Sequence, residues 1–189
     1  MSESIPFTLD GKEVEATSDE TIWQVANRLG IEIPHLCFSP EPGYRADGNC
    51  RACMVEIEGE RVLAASCIRS PTPNMNVITA SKRAKHARRT VMELLIADQP
   101  AREASHDPES KLWQWADQIN ILSSRFPKRG TPQADSSHPA MRVNLDACIH
   151  CNLCVRACRE VQVNDVIGMA GRGGDSKIVF DYDDPMGQS

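Results

Sequence analysis

The sequence predicts an α+β chain with a small sheet domain at the N-terminus, a helical linker and a cysteine-rich C-terminal segment. Two observations support this class: residues 4–79 combine short alternating segments with one helical pattern, and eight cysteines fall into two distant sets. Apolar residues make up 41% and charged residues 25% of 189 residues, which is ordinary for small globular domains. We expect three segments, with bounds at 1–80, 81–140 and 141–189.

The first segment begins with a predicted hairpin over residues 4–16, since Asp10-Gly11 is a favoured two-residue turn. A helix should follow, with Thr17 as N-cap, Glu20 completing a capping box and Gly30 just past the last turn. Its apolar side is predicted to consist of Ile22, Val25, Ala26 and Leu29. Further strands are expected at 53–57, 62–64 and 75–79. A hairpin, a crossing helix, a cysteine loop and further strands are the order of a β-grasp domain.

The second segment should open with a helix over residues 81–98, capped by Ser81. We predict Ala84, Val91, Leu94 and Leu95 on its apolar side, and Lys82, Arg83, Lys85, Arg88 and Arg89 mostly in solvent. Another helix is expected from Pro108, which suits the first helical position, to Ile119. Residues 123–140 carry turn formers throughout and predict a long loop, and residues 166–180 predict a hairpin.

The first cysteine set comprises Cys37, Cys50, Cys53 and Cys67. Its centre, residues 48–53, is a glycine-bearing loop that would let backbone amides face inorganic sulfide. Together with residues 33–37, 48–56 and 75–79, the set resembles the N-terminal [2Fe–2S] domain of the large iron–sulfur subunit of respiratory complex I and its relatives. The resemblance implies a [2Fe–2S] cluster on these four thiols. Zinc is the alternative, because C-x2-C pairs are also common zinc sites.

The second set, Cys148, Cys151, Cys154 and Cys158, has the C-x2-C-x2-C-x3-C spacing with which bacterial ferredoxins bind a [4Fe–4S] cluster. Residues 155–161 should be helical, so Cys158 stacks about one turn beyond Cys154 and is carried away from the first cube. We therefore predict that Cys158 binds a second [4Fe–4S] cluster. The fourth ligand of the first cluster would then lie outside this chain. The alternative is that Cys158 closes the first cube.

Charge and composition narrow the function classes. A net charge of −5 gives no reason to expect a nucleic-acid partner, and no apolar run approaches the roughly 20 residues that span a membrane. The opening residues predict no signal peptide, so we expect a cytoplasmic protein whose thiols stay reduced and bind metal. We find no catalytic residue: the sequence has no credible nucleophile, carboxylate pair or phosphate-binding glycine motif.

Three further stretches, residues 98–108, 148–162 and 178–187, are similar to the N-terminal part of the catalytic subunit of cytosolic NAD-dependent formate dehydrogenases. This resemblance implies an oxidoreductase in which formate is oxidised at a molybdenum or tungsten bis-pterin (molybdopterin) bound by a catalytic domain outside these residues. Electrons would pass through the clusters to a flavin-containing iron–sulfur subunit that reduces NAD+. The resemblance also implies a further cysteine quartet beyond Ser189.

One cluster of the complex I relatives is not expected here. In those proteins a [4Fe–4S] site of one histidine and three cysteines follows the helix that corresponds to residues 81–98. No cysteine lies between Cys67 and Cys148, and His106 is predicted to be a surface or capping residue. His150, inside the second cysteine loop, is expected to point outward.

Two other functions stay open at this point. The chain could be a complete small iron–sulfur adaptor subunit of an NAD-reducing hydrogenase or an NADH dehydrogenase-type complex. It could also be a zinc-stabilised interaction module without redox activity.

Overall fold

A computed structural model describes residues 4–188, which form two compact units. One unit comprises residues 4–38 and Ala46–Val91, and the other comprises Ser39–Arg45 and residues 92–188. Met1–Glu3 and Ser189, which belong to the first and last predicted segments, lie outside the described residues. The three-segment division therefore stays a prediction.

The first unit contains a five-stranded mixed sheet. Its strands are β1 (Ser4–Leu9), β2 (Lys12–Thr17), β3 (Met54–Ile57), β4 (Ala64–Ala65) and β5 (Asn76–Ile78). They lie in the order β2-β1-β5-β3-β4, with β1 and β5 parallel and the other neighbours antiparallel. The predicted hairpin is confirmed, because β1 and β2 pair around Asp10 and Gly11, whose φ angles of 49° and 79° form the turn.

Helix α1 (Ile22–Arg28) begins one turn later than predicted. Its capping box consists of Thr21 and Gln24: the Thr21 N–H donates to Gln24 Oε1 at 2.8 Å, and the Gln24 N–H donates to Thr21 Oγ1 at 3.3 Å. The predicted partners, Thr17 and Glu20, also interact, since the Thr17 N–H donates to Glu20 Oε2 at 2.9 Å. That contact belongs to the turn before the helix, so the N-cap prediction was wrong.

The C-terminal end of α1 agrees with the prediction. Gly30 has φ +73°, and the Ile31 N–H donates to the Ala26 carbonyl at 2.9 Å, as in a Schellman motif. Leu29 is 45% exposed instead of buried, because it is already the C-cap of the helix. The other three predicted apolar positions of α1 are fully buried: Ile22, Val25 and Ala26.

The core of the first unit joins α1 to the sheet. Phe7, Leu9, Val55 and Val77 are buried in one cluster with the apolar residues of the helix. Two cysteines of the first set, Cys53 and Cys67, belong to this same cluster. This part of the fold therefore buries candidate metal ligands inside its hydrophobic core.

Helix α2 (Lys82–Ala97) begins after Ser81 as predicted, and the Ala84 N–H donates to Ser81 Oγ at 3.1 Å. Ala84 is fully buried as predicted, but two positions of this helix differ from the prediction. Leu94 is 48% exposed, whereas Arg88, predicted to be in solvent, is 8% exposed. The Arg88 guanidinium is accommodated because its Nε donates to the Met54 carbonyl at 2.8 Å.

The second unit has short elements joined by long loops. They are α3 (Lys111–Gln118), α4 (Leu153–Arg156), β6 (Ile167–Ala170) and β7 (Lys177–Phe180). Helix α3 begins after Ser110, three residues later than predicted from Pro108. Residues 123–140 contain no helix or strand, and β6 and β7 pair antiparallel, so the loop and hairpin predictions are confirmed. Within residues 4–188, no helix has the length and apolar character needed to cross a membrane.

Candidate iron–sulfur sites

The structure brings the four thiols of the first set into one hydrogen-bonded group. The Cys50 and Cys67 thiols both donate to the Cys37 sulfur, and the Cys67 thiol also interacts with Cys53. Cys37, Cys53 and Cys67 are each 1% exposed, while Cys50 is partly exposed. All four predicted ligands thus meet at one buried place.

The four thiols differ in pKa because some of them donate hydrogen bonds and the others accept them. Hydrogen bonds from Cys50 and then Cys67 lower the pKa of Cys37 far below its ordinary value, and a hydrogen bond from Cys67 lowers the pKa of Cys53 to about 6. The pKa values of Cys50 and Cys67 are raised, because their protons are held in these hydrogen bonds and burial disfavours further thiolates. Thiolate is the form of cysteine that binds iron, so the hydrogen bonds that lower the pKa of Cys37 and Cys53 also favour iron binding.

Backbone amides also donate hydrogen bonds to the thiols of this set. The Cys50 N–H donates to Cys37 Sγ at 3.4 Å, and the Ala52 N–H donates to Cys50 Sγ at 3.5 Å. Amide donors directed at sulfur stabilise negative charge on a thiolate cluster. Four converging thiols with amide donors fit the [2Fe–2S] cluster that the resemblance implies.

The loop that carries Cys50 and Cys53 has a conformation suited to glycine. Gly48 has φ +66°, and a Cβ atom at this position would lie 2.9 Å from Ile68 Cδ1. Arg51, between the two cysteines, has φ +58°. On the far side, Ser66 Oγ donates to the Cys53 carbonyl at 2.8 Å and ties this loop to the residue before Cys67.

Sequence reasoning missed Trp23 as a residue that positions the first ligand. Its indole Nε1 donates to the Ile33 carbonyl at 3.1 Å. Its ring packs edge-on against the rings of His35 and Phe38, with centroid-to-centroid distances of 4.5 and 4.9 Å. These contacts fix the backbone on both sides of Cys37. The only signal in the sequence is a tryptophan beside the buried stripe of α1.

The second cysteine set is more open. Cys148 and Cys151 are half-buried, Cys154 is exposed and Cys158 is buried. Desolvation of its thiol, and electrostatic repulsion between a Cys154 thiolate and the nearby Cys148 and Cys158 sulfurs, raise the pKa of Cys154, although the residue as a whole is exposed. The loop curls through left-handed conformations at His150 and Asn152, with φ +52° and +63°. The sulfurs of Cys148 and Cys158 lie close enough to Cys154 to affect its pKa.

The helix predicted over residues 155–161 differs from expectation. Helix α4 ends at Arg156 and continues as a π-helical turn, Ala157–Val161, in which the Gln162 N–H donates to the Ala157 carbonyl at 2.8 Å. Cys158 therefore lies in a wider turn than the α-helix on which its predicted displacement was based. The assignment of Cys158 to a second cluster stays a prediction.

The two histidines that the sequence analysis considered, His106 and His150, differ in exposure. His106 is exposed, in agreement with its predicted surface position. His150 is half-buried instead of pointing outward, and it lines a cavity of about 510 Å³ together with Asp98, Arg129 and Cys148. Burial and the charge of Arg129 lower its pKa. In the described part of the chain, no three histidine, cysteine or acidic side chains have the spacing that holds a single metal ion, and this includes the four hydrogen-bonded thiols of the first set.

The fold and the four buried thiols define a class for the first unit. Residues 2–82 match the family described as 2Fe-2S iron-sulfur cluster binding domain. The chain therefore contains a 2Fe–2S ferredoxin-like domain within a mixed α+β fold, as predicted.

The relatives of the chain make this class more specific. It is 35% identical to NADP-reducing hydrogenase subunit HndD of Solidesulfovibrio fructosivorans, over 89% of this chain and 30% of that protein. It is 33% identical to the NADH-ubiquinone oxidoreductase 75 kDa subunit of Reclinomonas americana, over 90% of this chain and 25% of that protein. The chain thus spans only about a quarter to a third of the length of these curated relatives.

A solved structure gives the same result. The chain is similar to a crystal structure of NAD+-reducing [NiFe]-hydrogenase in the H2-reduced state, with a TM-score of 0.80 and 29% identity over 97% of this chain and 80% of that one. The 2Fe–2S ferredoxin-like domain is thus related to hydrogenase and complex I subunits, as the sequence predicted. The narrower resemblance to formate dehydrogenase stays a prediction.

Proposed function

We propose that this chain is an iron–sulfur electron-transfer segment of an NAD(P)-linked oxidoreductase complex. The observation that carries the proposal is the buried group of four hydrogen-bonded thiols in a domain that matches a [2Fe–2S] family. The relationship to hydrogenase and complex I subunits supports a flavin- and NAD-binding iron–sulfur subunit as the partner.

The ligand assignment is part of this proposal. Cys37, Cys50, Cys53 and Cys67 hold the [2Fe–2S] cluster. Cys148, Cys151 and Cys154 hold a [4Fe–4S] cluster whose fourth ligand lies outside this chain. Cys158 belongs to a second [4Fe–4S] cluster. When bound, such clusters accept and release single electrons.

The residues of the chain then act by controlling the surroundings of the clusters. The hydrophobic core around Cys53 and Cys67 excludes water from the first site. The amides of Cys50 and Ala52 place positive dipole ends against sulfur. Neither task moves a proton or attacks a substrate, which agrees with the lack of predicted catalytic residues.

Two complexes are candidates for the whole assembly. An adaptor subunit of an NAD(P)-reducing hydrogenase or NADH dehydrogenase-type complex is supported by the relatives and by the structural similarity. A formate dehydrogenase, with a molybdenum or tungsten bis-pterin domain as partner, is supported by residues 98–108, 148–162 and 178–187. The coding sequence after Ser189 discriminates between them. A further cysteine quartet followed by a pterin-binding domain supports formate dehydrogenase, and a stop codon supports the adaptor.

The common part of the proposal is tested on protein purified without oxygen. We expect iron and acid-labile sulfide, visible absorption, and after reduction two EPR signals that differ in temperature dependence. A colourless protein that contains zinc alone would instead support the zinc-stabilised module and contradict electron transfer.

A further inference from the structure

Arg88 is a buried cation beside the first cysteine site. It is 8% exposed, and its Nε donates to the carbonyl of Met54, the residue that directly follows Cys53. Its Nη2 atom is buried and has no hydrogen-bond partner within residues 4–188. A buried guanidinium nitrogen without an acceptor is costly, so a bound group that supplies an acceptor here would be stabilised by Arg88.

Two negative groups act on Arg88. Burial lowers the pKa of Arg88, whereas the charges of Cys53 and Asp10 raise it. Both carboxylate oxygens of Asp10 already accept hydrogen bonds from Thr79, at 2.7 Å from its N–H and 2.6 Å from its Oγ1. The Asp10 carboxylate therefore already has donors for both oxygens, which leaves the cysteine site as the other anion that acts on Arg88.

The charge at that site would grow with iron bound. Four thiolates outweigh the positive charge of a binuclear iron–sulfide core, and reduction adds one electron without adding a proton. Net charge and hydrogen bonds to sulfur are known to set cluster potentials. A fixed cation in a low-dielectric interior favours the more negative, reduced state.

We propose that Arg88 is a positioning residue of the [2Fe–2S] site that stabilises its reduced state, with Nη2 donating to a sulfur of the site. The hydrogen bond from Nε to the Met54 carbonyl fixes the guanidinium beside Cys53. This inference rests on the proposed assignment of the [2Fe–2S] cluster to the first cysteine set. It also explains why a cation is buried on a helix whose other basic residues are mostly exposed.

The test is an EPR-monitored redox titration of the full chain, loaded anaerobically, with dithionite as the electron donor. Arg88→Met removes the charge and keeps the length of the side chain, and Arg88→Lys keeps the charge. Lys85→Met removes a charge from an exposed position on the same helix and is the matched control. We expect Arg88→Met to weaken the reduced state about tenfold, which for a one-electron couple is a fall of about 59 mV.

The outcomes separate a failure of the Arg88 inference from a failure of the proposed function. Lys85→Met and Arg88→Lys should stay close to the parent potential. An Arg88→Met protein with a full [2Fe–2S] content and the parent potential would overturn the inference. If the parent itself shows no [2Fe–2S] signal, the proposed function fails instead.

A second measurement does not depend on the stability of Arg88→Met. In the parent protein labelled with ¹⁵N-guanidino arginine, pulsed EPR of the reduced cluster should show a ¹⁵N coupling that Arg88→Lys lacks. No ¹⁵N coupling in the parent, or the same coupling in Arg88→Lys, would remove Arg88 from the site.

Discussion

The two cysteine sets are held in different ways. In the first set, Cys53 and Cys67 are part of a hydrophobic core and receive support from a sheet, a helix and a serine side chain. In the second set, a curled loop and one turn of α4 carry the thiols, and Cys154 is exposed. We therefore expect metal binding at the first site to be coupled to the folding of its unit, and metal binding at the second site to depend mainly on its own loop.

The largest effect should come from breaking the first site. Cys50→Ser should abolish the [2Fe–2S] EPR signal and unfold residues 31–70, because cluster binding and folding are coupled where ligands lie in the core. Hydrogen exchange measured by mass spectrometry would report loss of protection in this range. A variant that keeps native protection without iron would contradict the coupling.

The second site offers a matched pair of variants. Cys151→Ser should remove the [4Fe–4S] signal and leave the [2Fe–2S] signal and the melting temperature of the first unit unchanged. Cys158→Ser should leave the first cube intact if Cys158 belongs to another cluster. Loss of that cube, seen by EPR and iron content, would show that Cys158 closes it.

A smaller effect is expected from the loop that presents Cys50. Gly48→Ala places a Cβ at a positive φ and 2.9 Å from the end of the 46% exposed Ile68 side chain, so we expect the free energy of unfolding to fall by about 1–2 kcal/mol. Gly59→Ala is the control, because its φ is +82° but nothing lies within 4 Å of the added Cβ. Urea titration should rank Gly48→Ala as the more destabilising change, with lower iron content. Equal losses would mean that Ile68 moves aside freely.

The smallest effect should come from an ion pair that involves none of the cysteines. Arg28 donates from Nε and Nη2 to the Glu20 carboxylate, each at 3.0 Å, and this lowers the pKa of Glu20 below its ordinary 4.5. A lowered pKa in the folded state gives stability that is present above pH 4.5 and lost as the pH falls through the folded value. Because the Arg28 side chain is 50% exposed and solvent screens the pair, Glu20→Gln should cost less than about 1 kcal/mol at pH 7.

The control for this pair is Glu13→Gln, at an exposed position of β2. Thermal unfolding at pH 7 and again well below pH 4.5 would test the sign. The difference between parent and Glu20→Gln should vanish in acid, whereas an acid-independent difference would assign the effect to packing.

Local chemistry made part of the first unit predictable. Asp10-Gly11 and Gly30 have few conformational alternatives, and the structure places them at the predicted turn and helix end. The start of α1 was not predictable in this way, because both Thr17 and Thr21 are followed three residues later by a suitable acceptor. The choice is made by distant carbonyls: the Ile22 and Trp23 N–H groups donate to Arg69 at 2.8 Å and Ser66 at 3.0 Å.

The candidate site shows the same division. The grouping of Cys37, Cys50, Cys53 and Cys67 could be inferred from spacing and resemblance to known domains. The burial of Arg88 could not, because a helical pattern assigns a charged residue to solvent unless its acceptor is known. That acceptor, the Met54 carbonyl, comes from a strand that lies 34 residues earlier in the chain.

The central position of β5 has a consequence for biosynthesis. This strand is the last of the five along the chain and lies between β1 and β3, pairing Thr8 with Asn76 and Glu56 with Ile78. While the chain emerges from the ribosome, the four thiols are therefore complete before the sheet beneath them can close. A nascent polypeptide halted before residue 76 should therefore expose the four thiols and the unpaired edges of β1 and β3 together.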